Sequence, residues 1–181
     1  MKDNIFEKIS PDEALIILKR LYKTDLALKN KIINLALDLF KGVDFNKICT
    51  GVFFALDGID VHELWDRSGT TRDGYSSPED MSVEMFEEAL EPFSKEMKRL
   101  LDLKMYEEAK EYCMGILKGI YLYEKDSKSE FKDWATDLPG ESFGDILREW
   151  RYGCKKSDRI GMRTFIQKEF PDWSSWAINQ I

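Results

Sequence analysis

Apolar side chains recur every three or four positions along most of the chain, the period of helices buried on one face. Ser10-Pro11-Asp12-Glu13 is a helix start: serine can cap, proline suits the first helical position and glutamate sits three residues after the cap. Ala14, Leu15, Leu18, Leu21 and Tyr22 follow at helical spacing. Thr24 or Asp25 opens a second helix, with Leu28, Ile32, Leu35 and Leu39 on one row and Ile33, Ala36, Leu37 and Phe40 beside them. So wide an apolar face predicts neighbours on two sides. Gly42 ends it, and Asp44 can cap a third helix carrying Phe45, Ile48, Cys49, Val52, Phe53 and Leu56 as far as Gly58.

Asp60-Val61-His62-Glu63 has capping-box spacing and begins a short helix ending near Arg67, and residues 68–77 read as loop. Ser77-Pro78-Glu79-Asp80 repeats the first start signal ahead of the longest helix, whose seam is Val83, Phe86, Leu90, Phe93, Met97 and Leu100. Pro92 lies inside it and predicts a kink, or two helices meeting. A helix from about Tyr106 to Glu124 places Gly115 and Gly119 on one face. Each glycine lowers helix propensity by about 1 kcal/mol against alanine, so a close partner helix is expected to offset the loss.

Polar residues 125–142 hold a Trp134 anchor and a Pro139-Gly140 break. Phe143, Ile146, Leu147 and Trp150 mark another helix ending at Gly153. A further one runs from about Asp158 to Glu169, and Trp173, Trp176 and Ala177 share one side of the tail. No alternating run is long enough to read as a strand. The expected fold is all-α, with seven or eight helices in stacked hairpins, either helical-repeat-like or an irregular bundle. The 181 residues fit a single domain, with a possible subdivision near 126–140.

Charge narrows the function classes. There are 27 Lys and Arg against 34 Asp and Glu, net −7. An acidic surface repels phosphate backbones, so no nucleic acid partner is expected. The basic group Arg148, Arg151, Lys155, Lys156, Arg159 and Arg163 reads as a solvated helix end. Three cysteines, Cys49, Cys113 and Cys154, are widely spaced, as in a reducing compartment, and Cys49 and Cys113 fall on apolar faces. No signal peptide or membrane-spanning run is visible, so a cytoplasmic location is expected.

The segment 57–75 contains the lone histidine, His62, among acids and arginines. One histidine without a spaced partner does not make a zinc or di-iron site, and the acids lack calcium-loop spacing. The glutamates at 84, 87, 88 and 91 and those at 107, 108 and 111 read as solvated helix faces. Neither a phosphate loop, a dinucleotide fingerprint nor a Gly-x-Ser-x-Gly elbow is present. No catalytic residue, metal ligand or cofactor is therefore assigned.

Two stretches, Leu64-Trp65-Asp66-Arg67-Ser68-Gly69 and Thr71-Arg72-Asp73-Gly74-Tyr75, together with Ala55-Leu56-Asp57, Ala89-Leu90-Glu91-Pro92-Phe93 and Ser129-Glu130-Phe131-Lys132-Asp133-Trp134, carry a resemblance. The segment from Phe53 to about Trp150 resembles microbial helical regions that accompany SWIM-type zinc fingers. The resemblance implies stacked helices. The finger itself needs Cys-x-Cys and Cys-x-His, which are absent, so zinc binding is not implied.

The expected role is a non-enzymatic helical scaffold or protein-interaction module, meeting a protein partner or a second copy, with Trp173 and Trp176 as partner-binding candidates. The alternative is an enzyme, or a binder of a small ligand or divalent cation. It would use Asp60, His62, Asp66, Arg67, Arg72 and Asp73, with Trp65 or Tyr75 as a stacking wall.

Overall fold

A computed structural model describes residues 6–71 and 74–181. The fold is all-α: the described residues form nine α-helices, three short 3-10 segments and one two-stranded ribbon. Among them, no helix is long and apolar enough to cross a membrane. The chain divides into two compact units, Met1–Lys41 and Gly42–Ile181, and the stretch 126–140 lies inside the second.

The first unit is a helical hairpin. Helix α1 (Pro11–Thr24) starts on the full reciprocal box: Ser10 Oγ accepts from the Glu13 N–H at 3.3 Å, and Glu13 Oε2 accepts from the Ser10 N–H at 2.9 Å. Helix α2 (Leu26–Phe40) is capped by Asp25, whose Oδ1 accepts from the N–H groups of Ala27 and Leu28 at 2.7 and 3.0 Å. Gly42, with φ +88°, takes the left-handed conformation just past the end. Neither helix has a fully buried side chain.

The second unit is organised around one central helix. Its helices are α3 (Phe45–Asp57), α4 (Val61–Arg67), α5 (Pro78–Asp102), α6 (Tyr106–Asp126), α7 (Leu138–Gly153), α8 (Asp158–Glu169) and α9 (Ser174–Ala177). Helix α6 packs against α3, α5, α7 and α8. It is accordingly buried on several sides, through residues such as Cys113, Ile116, Leu117, Ile120 and Tyr123. Gly115 and Gly119 form the crossing with α3: a β-carbon at Gly119 would stand 2.6 Å from Val52 Cβ and 2.7 Å from the Cys49 carbonyl oxygen. The close partner implied by the two glycines is α3.

Three local features add to the sequence reading. Helix α5 runs unbroken through Pro92, so two helices do not meet there. Pro92 is exposed, on the same side as Glu88, whose carbonyl loses its helical partner where water can replace it. Residues 68–77 are not all loop: β1 (Gly69–Thr71) pairs antiparallel with β2 (Gly74–Ser76), too short for alternation to show in the sequence. The turn from α5 to α6 uses a non-glycine residue with φ +61°, Lys104. Two bonds define it, Lys104 N–H to the Leu101 carbonyl at 2.9 Å and Met105 N–H to the Leu100 carbonyl at 3.0 Å, the Schellman pattern.

All of the fully buried apolar side chains described, from Ile48 to Ile181, belong to the second unit. A fragment of residues 42–181 is therefore expected to fold by itself, with helical circular dichroism and a single cooperative thermal transition. A peptide of residues 1–41 should show little helix under the same conditions, because chains of about 40 residues rarely hold a core unaided. A fragment 42–181 that melts gradually would contradict this division of the core.

Candidate functional site

The histidine segment is held by structural contacts. Asp60 caps α4, but its Oδ1 accepts from the His62 N–H at 2.8 Å, not from Glu63 three residues on. Glu63 instead lies 3.6 Å from Arg67 Nη1. The Arg67 guanidinium forks onto Glu88, with Nη1 to Oε2 at 2.7 Å and Nη2 to Oε1 at 2.9 Å, and Nη2 also reaches Glu84 at 3.0 Å. It ties α4 to α5. His62 and Asp66 are exposed, while Arg72 and Asp73 lie outside the described residues. Trp65 meets Trp134 edge-on at 4.8 Å, anchoring α4, whereas Tyr75 is 72% exposed. Among the described residues, no cluster of three or more His, Cys, Asp or Glu is placed to hold a metal ion.

The Arg67 fork has a pH signature. Its hydrogen bond to Glu88 holds that carboxyl below the ordinary glutamate range. A depressed folded-state pKa contributes stability above the unfolded value of about 4.3, and that stability is lost as pH falls through the folded value. Arg67→Met is therefore expected to lower stability near neutrality, with the gap to wild type closing in acid and shrinking in high salt. Urea unfolding across pH 3–7 measures it; a gap that is constant with pH would show that the fork is not the cause.

Burial favours the protonated form of all three cysteine thiols. Burial pushes the Cys113 thiol well above its usual value, with the charges of Cys154 and Glu149 adding to it. Cys49 is raised by burial against a smaller opposing effect from Lys118, and Cys154 is also raised chiefly by burial. A thiol kept protonated is a small apolar group. The basic group at the end of α7 is partly used internally. Arg159 donates to the carbonyls of Arg151 and Ile181 at 3.2 and 3.4 Å, Arg148 pairs with Asp145, and Lys155 lies 4.5 Å over the Tyr106 ring.

A groove of about 770 Å³ lies between α7, the end of α6 and the tail. The tail packs through aromatic edges. Phe143 on α7 is fully buried and meets Phe170 at 5.1 Å, Trp173 at 5.1 Å and Trp176 at 5.6 Å, while Trp173 also stands edge-on to Tyr121 at 5.2 Å. Both tryptophans remain half-buried, and both line the groove. They dock on their own core and still present surface to the outside.

Helix α7 supplies the opposite wall. Asp137 just before it, then Glu141, Asp145 and Arg148, follow steps of four, four and three, so they form one polar row. Gly140 and Gly144 lie beside that row and leave space: a β-carbon at Gly144 would be 3.7 Å from the Trp176 ring, and one at Gly140 would meet nothing within 4 Å. Sequence reasoning passed over this wall, although Asp-x-x-x-Glu-x-x-x-Asp interleaved with Gly-x-x-x-Gly was visible.

A second groove, of about 520 Å³, runs between α5 and α7 along Glu84, Glu87, Glu88 and Glu91, and Asp145 lines both grooves. These glutamates therefore border a concave surface in addition to facing solvent. Among the described residues of 57–75, none lines either groove. No family model, curated protein or solved structure matches the chain.

Proposed function

We propose that the second unit is a non-enzymatic, helical protein-interaction module, and that its binding face is the tryptophan-walled groove of α7 and the tail. The supporting observation is the double position of Trp173 and Trp176: core contacts hold the rings, and the same rings line an open groove. Rigid, half-buried aromatics are the side chains most enriched where proteins grip one another, because little freedom is lost when a partner covers them. Of the charged candidates in 57–75, Asp60 caps a helix and Arg67 cross-links two, which favours this reading over an enzyme or cation binder built on those residues.

Gly140→Leu is a plug for the groove. No heavy atom lies within 4 Å of the added β-carbon, so the fold should tolerate the change while the side chain fills the space. Affinity capture from native extract is expected to retain one or more proteins on the wild type and lose them on the plugged variant, with the helical signal unchanged. Identical retention by both, or retention of nothing by the wild type, would overturn the assignment.

A further inference from the structure

We propose that the two grooves meeting at Asp145 receive a lysine- and arginine-rich segment of a partner polypeptide, with a cationic side chain over Trp173 or Trp176. This rests on the interaction-module reading and names the chemistry of the partner.

Charge is the first reason. Residues 42–181 contain 19 Lys and Arg against 28 Asp and Glu, net −9, whereas residues 1–41 contain 8 against 6. Among the described lining residues of the two grooves Arg148 is the one cation, paired with Asp145, and cations just outside the grooves neutralise Glu84 and Glu88 through Arg67, Glu91 through Lys95 and Glu149 through Lys98. Among the described residues, Asp137, Glu141 and Glu87 have no such cation. A neutral or acidic peptide laid along this surface would strand them. A basic one supplies their counter-charges and is steered in by the field of the whole unit.

One further feature fits a cation. The paired indoles of Trp173 and Trp176, with centroids 5.8 Å apart, offer π faces, and tryptophan is the strongest aromatic partner for ammonium or guanidinium. Carboxylates on one wall and indoles on the other suit a side chain with an aliphatic stem and a charged head.

The test uses the full chain and a fluorescent peptide of alternating lysine, arginine and glycine, titrated at physiological salt by anisotropy, with the same peptide carrying glutamate at the charged positions as control. The five tryptophan indole N–H signals are followed by NMR in parallel. The basic peptide is expected to bind, to shift the Trp173 and Trp176 signals, and to weaken about tenfold in Asp137→Asn/Glu141→Gln. The distant pair Glu107→Gln/Glu111→Gln, which removes the same charge, should leave affinity unchanged. Equal weakening in both double variants, unmoved Trp173 and Trp176 signals, or displacement by spermine at matched charge concentration would overturn the proposal. If Gly140→Leu abolishes partner capture while Asp137→Asn/Glu141→Gln does not, the interaction module stands and the basic partner falls. If neither change matters, both fall.

Discussion

Phe143→Ala is expected to destabilise the protein by about 3–5 kcal/mol, the range for emptying a fully buried aromatic site. Phe143 is 0% exposed and lies among Phe170, Trp173 and Trp176, so its ring joins the tail to α7. The three partners are themselves large and held by other contacts, Phe170 by Tyr121 and Phe165 and Trp173 by Tyr121, which limits how far they can collapse into the hole. The loss should therefore exceed what the transferred area alone would give. Chemical denaturation measures the total, and hydrogen exchange locates it: protection should fall first over α9 and the residues after it. A loss below about 1 kcal/mol, well short of the usual cost of such truncations, would mean the tail is not docked through this ring.

The same variant links stability to the proposed binding face. Trp173 and Trp176 can serve as a wall only while their inner edges are fixed, so Phe143→Ala should blunt peptide binding even where the protein remains folded. Restoring bulk with Phe143→Leu should recover part of both properties, because most of the removed volume returns.

The helical rods were legible in the sequence, and the reason is local. Ser10, Asp25, Asp44 and Ser77 cap the helices they precede, because a short polar side chain followed by a helical apolar row has few other uses. The Gly115/Gly119 pair announced a close crossing through its propensity cost alone. The binding groove was not legible in the same way. Its acidic row repeats on α7, but whether that row faces open water or a groove depends on where Trp173 and Trp176 land, some thirty residues later in the chain. That placement is decided by Phe143, Phe170 and Tyr121 packing across three elements. Conversely, the lone histidine drew attention to 57–75 by its rarity, while the contacts described there include Asp60 as a cap, Arg67 as a fork between helices and Trp65 against Trp134. Rarity in composition carries no geometry; a groove does.

Gly119→Ala is the sharpest test of the packing that supports everything else. In an exposed helix this change is worth up to about 1 kcal/mol in favour of alanine. At Gly119 the sign should reverse. The new methyl would be 2.8 Å from Val52 Cγ1 and 2.6 Å from its Cβ, which could yield only by a rotamer change or a shift of α3. It would also be 2.7 Å from the Cys49 carbonyl oxygen, and backbone inside a helix cannot step aside alone. Helices α3 and α6 must separate, loosening the contacts of Ile48, Cys49 and Val52, and overpacking of this kind costs about 1–3 kcal/mol. Gly161→Ala supplies the contrast. Gly161 lies inside α8, is exposed and has nothing within 4 Å of its β-carbon position, so alanine should stabilise the protein by up to about 1 kcal/mol. The two substitutions add the same methyl to the same kind of element and should shift the denaturation midpoint in opposite directions. Equal shifts would mean that α3 does not ride on the bare backbone of α6, and the bundle around α6 would have to be redrawn.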